Sequence, residues 1–136
     1  MTATEPMLLS QRVAQICLFL AGAIAVFGGT LQMYLGQPET APRLDNVHRF
    51  MGGIYLMSGV TGLWVASTIR QHNTLIFLLA FTVLLGGIGR LISISKVGLP
   101  EPSAVWLGYL VPELVLPWII IAAQIVTNRA LGGTPN

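Results

Sequence analysis

Charge is what this chain has least of. Lys and Arg number 7 and Asp and Glu 5 among 136 residues, so 9% of the side chains are charged, roughly a third of the share usual in soluble domains. Together with 54% hydrophobic residues and a mean hydropathy of +0.74, this excludes a water-soluble domain of its size. The formal charge of +2 and pI of about 9.1 do not indicate nucleic acid, because the basic residues stand singly, with no Lys/Arg cluster or interleaved aromatics to follow a phosphate backbone. A single cysteine, Cys17, excludes an intrachain disulfide and reads as a small buried hydrophobe. The two histidines, His48 and His72, are too far apart for metal-ligand spacing or for a shared haem. No nucleophile elbow is present, and the Gly86-Gly87-Ile88-Gly89 run lacks the strand that a phosphate loop needs. No metal and no cofactor are expected.

What the chain does have is long apolar runs. Four stretches, Val13 to Met33, Val47 to Ile69, Leu75 to Ser95 and Ala104 to Thr127, approach the roughly 20 residues needed to cross about 30 Å of hydrocarbon as a helix. Short connections make successive helices antiparallel neighbours, so an all-α, integral membrane, up-down four-helix bundle is expected as one transmembrane domain over residues 1–136. The first dozen residues carry Glu5 and only one basic residue, Arg12, and no small-residue cleavage pattern follows the first run; that run is read as a retained span. One side of the bundle collects Arg12, Arg70 and Arg129, whereas the other collects Arg43 and Lys96 with Glu39, Asp45 and Glu101. The positive-inside bias then puts both termini on the cytoplasmic side of the membrane.

Small residues predict how the helices pack. Ala21, Ala25 and Gly29 recur every fourth position in the first span, and Ser58, Gly62 and Ala66 in the second, a spacing that allows close backbone approach within the chain or across a homodimer. Gly28-Gly29 and Gly86-Gly87 align at an offset of 58 residues, as do Val47 and Val105, which hints at two related helical hairpins.

Charge inside the spans points to a site. Arg90 and Glu113 lie within the third and fourth apolar stretches, where an ionisable side chain costs several kcal/mol unless it is paired, hydrated or facing a cavity. Counting about 1.5 Å per residue, Arg90 sits about 9 Å inside Lys96 and Glu113 about 14 Å below Ala104, on the same side of the membrane. Asp45, His48 and Arg49 lie near that surface, and Asp45 is expected to cap the second span. His48 and Tyr55 share a face of that span, Tyr109 and Glu113 share a face of the fourth, and Gln32 is within reach. Pro112 and Pro117 deprive the carbonyls of Gly108 and Glu113 of their helical donors, as in broken helices that border membrane sites. The expected cluster is His48, Arg49, Tyr55, Arg90, Tyr109 and Glu113. For its charged members, a buried ion pair that only fixes helix register is the competing reading.

The run Asn46-Val-His-Arg-Phe-Met-Gly-Gly, the Gly-Gly-Ile-Gly-Arg90 segment and Pro112-Glu113-Leu together resemble a bacterial membrane family catalogued as domain of unknown function 4345. The likeness extends from about Ile16 to Ile125. It implies that Arg49, Arg90 and Glu113 are the positions to watch, and it brings no activity, cofactor or substrate.

Two functional readings follow. The favoured one is a non-enzymatic accessory or structural subunit of a membrane assembly, in contact with lipid and with other membrane subunits or copies of itself, where Arg90 and Glu113 act as internal polar glue. The alternative is binding, or conversion, of a lipophilic molecule such as a quinone, isoprenoid or lipid in an intramembrane polar pocket. Glu113 is suited to act as an acid or base on such a ligand. No further residue specifies a reaction, so catalytic residues stay unassigned and enzymatic activity stays open.

Overall fold

The computed structural model describes residues 5–132. Four helices form the molecule: α1 Leu9–Leu35, α2 Pro42–Ser67, α3 Thr74–Val97 and α4 Ser103–Ala130, with a 3-10 turn at Ile69–Gln71 between α2 and α3. Each is long and apolar enough to cross a bilayer, and the described residues contain no strand. The outward surface is apolar as well. Phe27, Met57, Leu85 and Trp118 are all more than half exposed, which suits contact with lipid and not water. This is an integral membrane four-helix bundle.

The helices outrun the apolar stretches that announce them. Polar α2 residues Arg43, Asp45 and Asn46 are helical because Pro42 occupies a first-turn position, where its fixed φ favours helix and its missing N–H costs nothing. Ala41, not Asp45, is therefore the N-cap of α2. Asp45 faces back instead, accepting the Gln37 amide at 2.5 Å and the Arg49 Nε–H at 2.9 Å. Arg49 in turn donates to the last carbonyls of α1, those of Met33 (2.7 Å), Tyr34 (3.2 Å) and Leu35 (3.3 Å). A cation on the exposed carbonyl end of a helix satisfies both its orphan acceptors and its dipole. Gly36, at φ +57, turns the chain here, where a Cβ would also collide with the Arg49 and Asp45 side chains.

Packing is uneven around the ring of helices. The α1 helix lies along α2 and against α4, and α3 lies against α4, whereas α2 and α3 scarcely touch. The buried core of Ala14, Leu18, Val65, Ile76, Ala80 and Ile120 occupies the half of the bundle nearest the termini. Polar bonds close that half: Gln124 and Asn128 both donate to the Asn73 Oδ1, at 3.0 and 2.9 Å, and the Ser10 and Thr127 hydroxyls are 2.7 Å apart.

The closest backbone approach is made by glycines. Gly22 and Gly29 of α1 face Gly59 and Gly52 of α2, so a Cβ on Gly29 would stand 2.7 Å from the Gly52 carbonyl oxygen and one on Gly59 2.6 Å from the Val26 amide. Of the small α2 residues at four-residue spacing, Gly62 joins this ridge, where a Cβ would stand 3.6 Å from the Gly22 Cα, whereas Ser58 lies on the gap toward α3. Gly29→Ala should therefore push α1 from α2 and destabilise the protein by about 1–3 kcal/mol. Gly86→Ala, where a Cβ meets nothing within 4 Å, should be neutral or mildly stabilising by helix propensity; thermal unfolding of both variants in detergent measures the difference.

Candidate functional site

Arg90 on α3 and Glu113 on α4 meet in the half of the bundle away from the termini. The Arg90 Nε donates to Glu113 Oε2 at 2.6 Å. Glu113 is buried, with 5% of its surface exposed, and its second oxygen accepts the Tyr55 hydroxyl from α2 at 3.3 Å. Three helices thus contribute to one carboxylate. The guanidinium is further held by aromatic faces, with its carbon 5.7 Å from the Trp106 ring centre and 5.6 Å from that of Tyr109, inside the range of cation–π attraction. The α4 helix continues through Pro112 and Pro117 without interruption; the prolines remove helical donors on either side of the carboxylate while leaving the helix intact.

Arg49 belongs elsewhere. Its partners are Asp45 and the end of α1, so it closes the first hairpin and leaves Glu113 to Arg90. Both cavities around the pair are also without it.

The larger cavity, about 570 Å³, is the gap between α2 and α3, floored by α1 residues Leu18, Ala21 and Ala25. Its α1 and α3 linings run from Leu18 to Gln32 and from Leu79 to Ser93, each about 21 Å long at 1.5 Å per residue. Most of the wall is apolar. Ser58 and Thr82 lie on it, but their hydroxyls donate to carbonyls of their own helices, Ile54 and Leu78. Polarity is concentrated at one end, where Arg90, Glu113, Tyr55 and Gln32 converge. Gly86 and Gly89 face open space, and both line this cleft, whereas Gly87 between them packs on Leu114 and Glu113. Two glycines therefore keep a groove empty where side chains would fit. Sequence spacing identified the glycine run but not which members face the gap.

Arg90 also borders the smaller cavity, about 240 Å³, at the mouth of the bundle with His48, Tyr109 and Trp106. Trp106, in the first turn of α4, packs against the guanidinium. The same offset of 58 that aligns the glycine pairs relates Tyr55 to Glu113, Gln32 to Arg90 and His48 to Trp106. All six border one or both cavities. Among the described residues no group of three His, Cys, Asp or Glu is placed to hold a metal ion.

The family described as Domain of unknown function (DUF4345) matches residues 13–124. The chain belongs to this family. The matched segment contains every residue of the Arg90–Glu113–Tyr55 cluster together with both walls of the cleft. Comparison with curated proteins and with solved structures gives no match.

Breaking the pair on one side should cost more than removing it. Glu113→Gln leaves the Arg90 charge without its counter-ion at bilayer depth and is expected to destabilise by about 3 kcal/mol. Replacing Glu113 and Arg90 together by leucine should recover part of that loss. Unfolding of the single and double variants in detergent tests this; a double variant at least as unstable as either single one removes the pairing argument.

Proposed function

We propose that this protein binds a lipophilic molecule with an oxygen-bearing polar head, its tail in the cleft between α2 and α3 and its head at Arg90. One observation carries the reading. Arginine has five N–H donors, and Arg90 uses only Nε on a protein acceptor, so its terminal nitrogens donate to none of the described residues while bordering a cavity that opens toward lipid. Unmet donors at that depth are expensive. An oxygen acceptor on a molecule entering from the bilayer meets them, and the apolar walls accept its tail. At about 570 Å³ the cleft falls within the usual range for small-molecule sites.

Structural glue, the role the sequence alone favours, requires the Arg90–Glu113 bond but neither an open cleft nor free donors beside it. The cleft therefore supports binding of a lipophile. If Gly89→Phe fills the gap, a co-purifying lipophile detected by mass spectrometry in the unaltered protein should be lost while the unfolding temperature stays within a few degrees. Retention of that molecule by Gly89→Phe, or another polypeptide co-migrating in mild detergent in place of any lipophile, supports an accessory subunit instead.

We also place both termini in the cytoplasm of a bacterial inner membrane, or an internal membrane derived from it, on the Arg12, Arg70 and Arg129 bias. In a Cys17→Ser background, a cysteine introduced at Thr40 should label only from the non-cytoplasmic face. Labelling from the cytoplasm inverts the topology.

A further inference from the structure

The two cavities share a waist. Gln32, Tyr55 and Arg90 line both, so these three side chains stand between the lipid-facing cleft and the smaller chamber at the bundle mouth. We infer that they form one bipartite site selective for an uncharged, carbonyl-bearing head, such as a quinone, ketone or ester, on a long apolar tail, with the carbonyl oxygen at the waist.

This inference rests on the binding reading above and adds the sign of the head's charge. Arg90 is already neutralised by Glu113 at 2.6 Å. A carboxylate or phosphate head docking on the free guanidinium nitrogens would bring a second negative charge beside the Glu113 carboxylate, in surroundings where charge interactions are weakly screened. Among the described residues that line the two cavities Arg90 is the one Lys or Arg, and the nearby Arg49 is engaged by Asp45 and the α1 carbonyls. A cationic head would meet Arg90 itself. A neutral acceptor leaves the balance of the pair unchanged and still meets its donors. Gln32 adds to the same preference: its side chain makes no hydrogen bond to the described residues, so its amide N–H is available to the oxygen. The chamber beyond, bordered by His48, Trp106 and Tyr109, leaves about 240 Å³ for the remainder of the head on the side nearest water.

Trp106 reports on the waist directly. In full-length protein carrying Trp64→Phe and Trp118→Phe, in phosphatidylcholine nanodiscs, decyl-benzoquinone should quench Trp106 fluorescence well beyond the level in the same protein with Gly89→Phe. Methyl oleate should restore the fluorescence at a mole fraction at least about tenfold below that needed for ionised oleate, the two competitors sharing one acyl chain and differing at the head in charge and a single methyl group. Glu113→Gln, which uncovers the Arg90 charge, should reverse that order. The comparison in protein with Glu113 intact decides the matter even where the Glu113 variant does not fold. Oleate competing as well as its ester overturns the selectivity and leaves the cleft as a lipophile site. A co-purified acidic lipid with no quinone quenching does the same. Absence of both quenching and any co-purified lipophile overturns this inference and the binding reading together.

Discussion

A carboxylate and a guanidinium 2.6 Å apart in the middle of helices α3 and α4 set the terms for the outer half of this bundle. Lipid supplies no hydrogen bonds and little screening, so each charge is tolerable there only because the other is present. Their contact fixes the register of α3 on α4, Tyr55 brings α2 to the same carboxylate, and Trp106 and Tyr109 pack the guanidinium without using its terminal donors. Aromatic faces attract a cation but accept none of its hydrogen bonds in the plane of the guanidinium. The arrangement therefore neutralises Arg90 without saturating it.

The two hairpins share a residue spacing and are packed differently. Positions 58 apart, Gln32 with Arg90 and Tyr55 with Glu113, face a common centre. Under that correspondence the contact of α1 with α4 would be answered by one of α3 with α2, and this is the contact that is nearly missing. The glycines show where the difference arises. In the first hairpin Gly22 and Gly29 press against backbone of α2; in the second Gly87 packs on α4 while Gly86 and Gly89 face empty space. Closing the ring at the fourth interface would fill the cleft and bury the donors of Arg90.

The four spans and the convergence of Arg90 and Glu113 are legible in the sequence, since apolar runs of bilayer length and isolated charges within them are strong one-dimensional signals. The destination of Arg49 is not. Depth along a helix put it in the same membrane half as Glu113, but the α1–α2 turn at Gly36 brings three carbonyls and Asp45 nearer. Asp45 reads as a cap because the apolar run begins after it, whereas Pro42 starts the helix earlier. Periodicity also names small residues without saying what they face: Ala21, Ala25 and Ser58 border the cleft, and of the named residues Gly29 is in the tight seam, where Gly22, Gly52 and Gly59 join it. The Asn73, Gln124 and Asn128 network escapes notice for a related reason, as uncharged amides near helix ends are equally at home in the interfacial region.

Rigidity and openness are divided between the two ends. The half near the termini has the aliphatic core and the shared Asn73 acceptor, so it holds the helices together without help from the site. That division allows the other half to keep a gap between α2 and α3 and to leave a guanidinium incompletely satisfied, at a local free-energy cost of the kind that functional sites carry and well-packed cores do not. Glu113 limits this cost by cancelling the charge. The residual need is for oxygen acceptors and not for a counter-ion.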